Sequence, residues 1–465
     1  MTEWKPDIAS RRGRRYLAIA DALADDIKNG VVRPGDRLPT HRELAYQMGL
    51  SVSTVSKAYA EAVRRQLILS EVGRGTFVMP NAWTDLSHIG VDSRQIEPID
   101  LSFNCPVPTP MLLEAVSGAL ATISGCERIG ELMHYQRPWI GLAAHREAAA
   151  GWLEQRGLRT SPENILITHG AQHAHAIILS SLLEPNQIAV TEELTDPGIK
   201  FLTANRSLQL KGLAMDRDGL LPDALEAACR TMKVRALITV PNHHSPTLTI
   251  MSAERRKAIA EVARRYGLII IEDDVYGPFL ENPPPALSSF APEQSFYFTS
   301  FSKSIVPGLR IGFLAAPPGR VEELIPGLGA TTWMASLIPA EIAALWIRDG
   351  TADRLVAWQR QEMGRRHKLA SQILDGFEYT SLPTSLHLWL PLPDAWRAEG
   401  FVAQARARGL AVTPAEAFVV GHLAAPQAIR ISLGGATPSR SELQRGLEIV
   451  AELLRQRPAA TYLTL

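Results

Sequence analysis

Five residues have the types and spacing for chemistry: Ser300 and Lys303 in Ser300-Phe301-Ser302-Lys303, Arg310 seven residues on from the lysine, and Asp273 with Tyr276 further upstream. A lysine amine condenses with an aldehyde to give a Schiff base. A carboxylate beside a pyridine nitrogen keeps it protonated, so the ring accepts electrons, while cations and donors hold a phosphate. Lys303 suits the first task, Asp273 the second, and Ser300 with Arg310 the third. Gly170-Ala171-Gln172 follows Thr168-His169 and opens a helical stretch. A helix start, with free N–H groups and a positive dipole end, is a seat for phosphate. These are the demands of pyridoxal 5′-phosphate (PLP).

Positioning such a set requires a scaffold that delivers distant residues to one place. Short apolar runs at 165–168, 188–191, 236–240, 268–271, 296–299 and 311–315 alternate with helical segments. That alternation predicts an α/β body with a mainly parallel sheet covered by helices on both faces. Ligands collect beyond the strand ends of such sheets. Gly170, Asp273 and Ser300 each fall just past a run.

Ahead of this body lies a different pattern. Tyr16, Ile19, Ala20, Leu23 and Ile27 form a helical stripe that stops at Asn29-Gly30. Thr40 with Glu43 has capping-box spacing and predicts a second helix over 41–48. After the break at Gly49-Leu50-Ser51, Val55, Ala58, Tyr59 and Ala62 mark a third helix, with Val52, Ser53, Ser56 and Lys57 on its other face. Strands at 67–69 and 76–78 flank Glu71-Val72-Gly73-Arg74-Gly75, a wing with Arg74 at its tip. This is a winged helix-turn-helix layout, which meets DNA through its third helix and wing.

The run from Leu38-Pro39-Thr40 through Arg42-Glu43-Leu44-Ala45, Thr54-Val55, Ala58-Tyr59 and Gly73-Arg74-Gly75-Thr76-Phe77-Val78 resembles the GntR family of DNA readers. The resemblance implies DNA contact by Arg42, Thr54 and the wing glycine Gly75; the outward face of the third helix and the wing tip add Ser51, Val52, Ser53, Lys57 and Arg74 as candidates, with Val52 where the family usually has arginine. The body resembles fold type I aminotransferases, and the whole chain the MocR subfamily, in which such a body is fused to the reader. It implies a smaller C-terminal α+β domain and four pieces: 12–79 reader, 80–100 connector, 101–325 PLP-binding domain, 326–460 small domain.

By the same resemblance Lys303 carries the Schiff base, and Gly170, Ala171, Gln172, Asp273, Tyr276, Ser300 and Arg310 bind PLP. Tyr135, followed by Gly141 and Arg146, reaches a partner subunit's phosphate, which implies a homodimer with shared sites. Arg430 in Ile429-Arg430-Ile431-Ser432 grips an α-carboxylate. Two positions depart from the family: Asp196 stands where an aromatic ring usually stacks, and Ser245-Pro246-Thr247-Leu248 replaces Asn-Pro-Thr-Gly.

Bulk properties set the bounds. The 465 residues are 46% hydrophobic and 21% charged, which excludes extensive disorder. Net charge is zero, but residues 1–79 carry 13 basic against 9 acidic groups and the remainder 35 against 39, a mild bias suited to a polyanion at the front. No apolar run reaches membrane-span length and no secretory leader opens the chain, so a cytoplasmic location is expected. Three isolated cysteines, Cys105, Cys126 and Cys229, read as unpaired thiols. His173 and His175, two apart on a helix, do not face one another, so no metal site is expected.

Three functions remain open at this point. The first is a transcription regulator that senses PLP or an amino compound through its aminotransferase-like body. The second is an active aminotransferase carrying a DNA module, a reading weakened by Asp196 and Ser245. The third is a body that has lost its cofactor and only dimerises.

Overall fold

Capping and periodicity build the front helices. The computed structural model describes residues 4–8, 14–28, 31–32, 36–65, 67–71, 75–78, 99–135, 137, 139–421, 424–435 and 439–456, and it divides into two units, Met1–Gln95 and Ile96–Leu465. In the first, α1 (Arg15–Lys28) precedes α2 (His41–Met48), which opens on the expected capping box: Thr40 Oγ1 accepts the Glu43 N–H, and the Glu43 carboxylate accepts the Thr40 N–H. Gly49, at φ 62°, ends α2 in the left-handed region, where a side chain would be strained. Ser51 caps α3 (Val52–Arg64).

The strands β2 (Ile68–Glu71) and β3 (Gly75–Val78) form the hairpin, and β1 (Arg37–Leu38) adds a third strand on the far side of β3. Two residues are too short a run to leave a period-2 signal, so β1 is not legible in sequence. The core joins Ile19, Leu23, Leu44, Val55, Tyr59 and Val78 with Trp4, which lies ahead of the expected start of the domain at 12. The wing tip, Val72 to Arg74, the last residue of the expected reader, Met79, and residues 80–98 of the expected connector lie outside the described residues.

The second unit is built on a seven-stranded sheet. Outside that sheet lie the short strands β4 (Ile99–Asp100), β8 (Met215–Asp216) and β9 (Gly219–Leu220), the last two paired with each other. The main strands are β5 (Ile165–Thr168), β6 (Ile188–Glu192), β7 (Gln209–Leu213), β10 (Val234–Thr239), β11 (Ile269–Asp273), β12 (Ser295–Ser300) and β13 (Gly312–Ala315), in the order β5-β13-β12-β11-β10-β6-β7. Only β13 runs against its neighbours. The expected strands are all present; β7 is additional, an edge strand of half-exposed residues (QLKGL) without a continuous apolar run.

Alternation along the strands feeds two faces. Leu166, Phe296, Phe298 and Leu314 pack on one side with Ala174, Ile177 and Ile178 of the helix Ala171–Leu182. Ile165, Ile167, Tyr297 and Phe313 pack on the other with Trp152 and Trp346. Further on, β14 (His387–Pro391), β16 (Thr413–Pro414) and β17 (Ala428–Ser432) form a three-stranded sheet, while β15 (Leu410–Ala411) pairs with β4. The end of the expected connector therefore folds with the C-terminal part. Among the described residues no helix is long and apolar enough to cross a membrane.

Candidate PLP site and DNA-reading surface

The strand ends deliver the reactive set. Asp273 ends β11, and its neighbour β12 passes through Ser300 into the one-turn helix Phe301–Ser304 that carries Lys303. Beyond β5, Gly170 stands at φ 79° and starts the helix Ala171–Leu182. A Cβ at Gly170 would lie 3.0 Å from Arg310 Nη2 and 3.5 Å from Ser302 Oγ, so the absence of a side chain keeps a polar hollow open at that helix start. Arg310 is held over it: Nη1 donates to Ser302 Oγ (3.0 Å) and Nη2 to the His169 carbonyl (3.3 Å). Ser300 Oγ is buried without a partner. An anionic group seated on the helix start would meet these donors, so the hollow fits a phosphate.

Asn104 connects the remaining groups. Its carbonyl accepts from Lys303 Nζ at 2.7 Å, and its Nδ2 donates to Tyr276 Oη (3.2 Å) and His387 Nδ1 (2.8 Å). His387 Nε2 in turn faces the Pro246 carbonyl at 3.0 Å. That pattern requires a neutral ring protonated on Nε2, and burial holds its pKa well below the usual value. Sequence reasoning missed Asn104 and His387, which lie 283 residues apart and carry no local motif. The Lys303 ammonium also lies 4.5 Å from the centroid of the Phe103 ring.

Burial lowers the Lys303 pKa, favouring the neutral amine that attacks an aldehyde, while the nearby Asp196 charge opposes that shift. Asp273 is pushed up to about 8, first by loss of hydration and next by Asp196; the Val275 N–H at 3.2 Å and Lys303 act the other way. Without a cationic partner it therefore carries a proton near neutrality. A protonated ring nitrogen would supply the missing charge, so the residue fits the pyridine side of PLP. Tyr276 is pushed up to about 12 by burial and by Asp196, so it stays a neutral phenol whose oxygen accepts from Asn104 Nδ2.

A carboxyl with a raised folded-state pKa costs stability as pH climbs from its unfolded value, near 4, to about 8. We therefore expect the PLP-free Asp273→Asn protein to gain on the wild type, by about 2 °C or more in melting temperature, between acid and alkaline conditions. Melting curves at the two ends of that window check this; a constant difference would refute it.

Arg430, on β17, is 6% exposed. Its Nη2 donates to the Ser102 carbonyl at 2.6 Å and its Nη1 to Ser245 Oγ at 3.1 Å, and it lies 4.8 Å from the Phe418 ring centroid. Nε has no partner. Ser245 thus supports the arginine. Asp196 caps the helix Pro197–Asn205, accepting the Gly198 N–H at 2.8 Å.

Other expected residues fall elsewhere. Tyr135 is 77% exposed on the single chain. Arg146 donates to the carbonyls of Gly141 and Pro162 and so braces its own loop. His173 packs beside His169 and Thr331, and His175 is buried against Phe298.

On the front unit Arg42, Val52, Ser53 and Lys57 are exposed along α2 and α3, and Thr54 is half-buried. Ser51 Oγ accepts the Thr54 N–H as the helix cap. Ser56 departs from the expected outward face: it is half-buried, with Oγ 3.1 Å from His41 Nδ1, and so joins the two helices. Gly75, at φ 125°, lets the wing backbone pass the Arg37 side chain. Tyr46, 90% exposed on α2, is an aromatic the sequence reading passed over.

Fold and site together define a DNA reader joined to an aminotransferase-like body of the PLP type. Residues 15–78 match the bacterial regulatory proteins of the gntR family, and residues 112–450 match aminotransferase class I and II. The chain belongs to the MocR subfamily of GntR-type transcription regulators. It is 33% identical to the HTH-type transcriptional regulator YdeF of Bacillus subtilis, covering 97% of this chain and 96% of that protein. The pyridoxine biosynthesis regulator PdxR of Corynebacterium glutamicum is 26% identical over 77% of this chain and 78% of its own length. An archaeal alanine:glyoxylate aminotransferase shares the fold, with a TM-score of 0.72 at 23% identity over 85% of this chain and 98% of its own.

Proposed function

We propose that this regulator binds operator DNA as a homodimer in the cytoplasm and adjusts that binding when an amino compound, or PLP itself, occupies the body. The observation that carries the reading is the convergence of Lys303, Tyr276 and Arg430 on the short segment 102–104, with Asp273 in the field of Lys303. PLP supplies an aldehyde that captures amines and a ring that takes up electrons. Lys303 holds the cofactor covalently, Asp273 orients and charges its ring nitrogen, and Tyr276 donates to the ring oxygen. Gly170, Ala171, Gln172, Ser300 and Arg310 hold its phosphate, with Tyr135 of a second copy completing the seat. Exposed apolar residues in the segment that precedes that tyrosine, Leu113, Leu120, Ile129 and Met133, support such a pairing. Asn104 and neutral His387 keep the Tyr276 hydroxyl oriented.

Arg430 selects an amino compound bearing a carboxylate, which a guanidinium grips in bidentate fashion. A ligand changes operator binding only through unequal affinity for two states of the body. Titrating the PLP-loaded protein with amino compounds, by absorbance and by gel shift on its own upstream DNA, tests the reading. Identical operator affinity with and without every ligand refutes it. Arg430→Lys is expected to weaken capture of a carboxylate-bearing amine about 10- to 100-fold, with little change for the matching amine without a carboxylate. Parallel absorbance titrations of the two compounds check it.

The intact lysine, aspartate and tyrosine favour one rival, an active aminotransferase. Rapid conversion to the pyridoxamine form, with turnover on a 2-oxo acid, would establish it.

A further inference from the structure

Asp196 has no task in the reading above, yet its place is fixed from three sides. Its Oδ1 caps the helix Pro197–Asn205. The point that a Gly198 side chain would occupy lies 2.9 Å from that oxygen and 2.8 Å from Gln172 Nε2, so the carboxylate stands beside the helix start that opens at Gly170. Thr195 N donates to the Phe418 carbonyl at 2.8 Å and Leu194 bridges Val419, tying the loop to the residue whose ring lies against Arg430. In the order β11-β10-β6 the loop stands two strands from Asp273, about 10 Å between strand axes, a gap that side chains span.

Electrostatics place the carboxylate among the reactive groups. Of the charged neighbours of Lys303, which also include Arg430, Cys105 and Asp273, Asp196 acts most strongly, and it does so on Asp273 as well. Tyr276 feels it too. The histidines on its other side, His175 and His244, are held neutral by burial and bring no compensating charge. With PLP seated, Asp273 is matched by the ring nitrogen and Arg310 by the phosphate. That leaves Arg430, which Asp196 also supports, and Lys303, on which the Asp196 carboxylate acts more strongly than any other charge, as the basic groups in its field.

We propose that Asp196 is a positioning residue that holds a proton on the imine nitrogen formed at Lys303 through the neutral range. The inference rests on the PLP reading above. Condensation of the Lys303 amine with the aldehyde releases water, and the imine nitrogen takes up a proton. An incoming neutral amine then adds to the imine carbon, the carbon–nitrogen bond to Lys303 breaks, and lysine leaves as a neutral amine. The new imine carries the positive charge, so protons balance and nothing is oxidised. An aromatic ring in this place would stack on the cofactor without supplying charge. The carboxylate gives up that contact and keeps the imine reactive toward amines at neutral pH, which suits capture more than turnover.

The test is an absorbance titration of the PLP-loaded wild type and of Asp196→Asn, Asp196→Ser and Asp196→Glu across the neutral range. Asparagine and serine both cap helices, so the fold is retained while the charge is removed. Asp196→Asn and Asp196→Ser are expected to lower the pKa of the imine proton by about one unit or more, a tenfold loss of proton affinity, and Asp196→Glu to restore much of it. A normal visible band with an unchanged titration in Asp196→Asn overturns this inference alone. No visible band in the wild type overturns the PLP reading and this one with it.

Discussion

Lys303→Ala, incubated with PLP, is expected to lose the visible absorption band entirely and to show no adduct at that position after borohydride treatment. No other lysine stands at the ends of β5, β11 or β12. Lys200 donates to the Ala417 carbonyl at 2.9 Å and follows β6 rather than one of these three strands. The substitution leaves operator affinity in the absence of ligand unchanged, because the front unit has its own core around Leu23, Val55 and Tyr59. What disappears is the response to amino compounds. Mass spectrometry of the reduced wild type and variant settles the point, and a wild-type adduct on any other residue would refute the assignment of Lys303.

The second large effect concerns DNA. Arg42 and Lys57 are exposed cations on α2 and α3, and each neutralised phosphate releases counterions. Replacing both with alanine is expected to weaken operator binding about 100-fold at moderate salt and to reduce the slope of log affinity against log salt by about two. Neither side chain is buried, so the melting temperature should stay close to that of the wild type. Gel shifts or anisotropy at several salt concentrations measure the slope. An unaltered slope would mean that α2 and α3 do not face the phosphates.

Much of this architecture was readable from local chemistry. The Thr40–Glu43 box and Gly49 set the ends of α2 through contacts within a few residues, and the six apolar runs became strands because burial on both faces demands continuous apolar sequence. The same locality placed Gly170, Asp273 and Lys303 at strand ends. Residues recruited over long distances left no such trace. Asn104 meets Tyr276 and His387 only after folding, β7 is an edge strand with polar positions, and Ser56 turned inward because His41 offered its oxygen a partner. Spacing on a helix gives the face a residue occupies, not the neighbour that covers it.

One consequence follows from where the two basic side chains of the pocket anchor themselves. Lys303 and Arg430 both donate to main-chain oxygens of residues 102–104, a stretch that follows directly on β4 and on the chain emerging from the connector. On the proposed reading, a ligand that engages either side chain would take away one of these bonds, leaving the Ser102 carbonyl to the Thr413 hydroxyl at 2.8 Å. Occupancy would thereby give slack at the place where the polypeptide enters the body, like a latch fitted on the hinge side of a door.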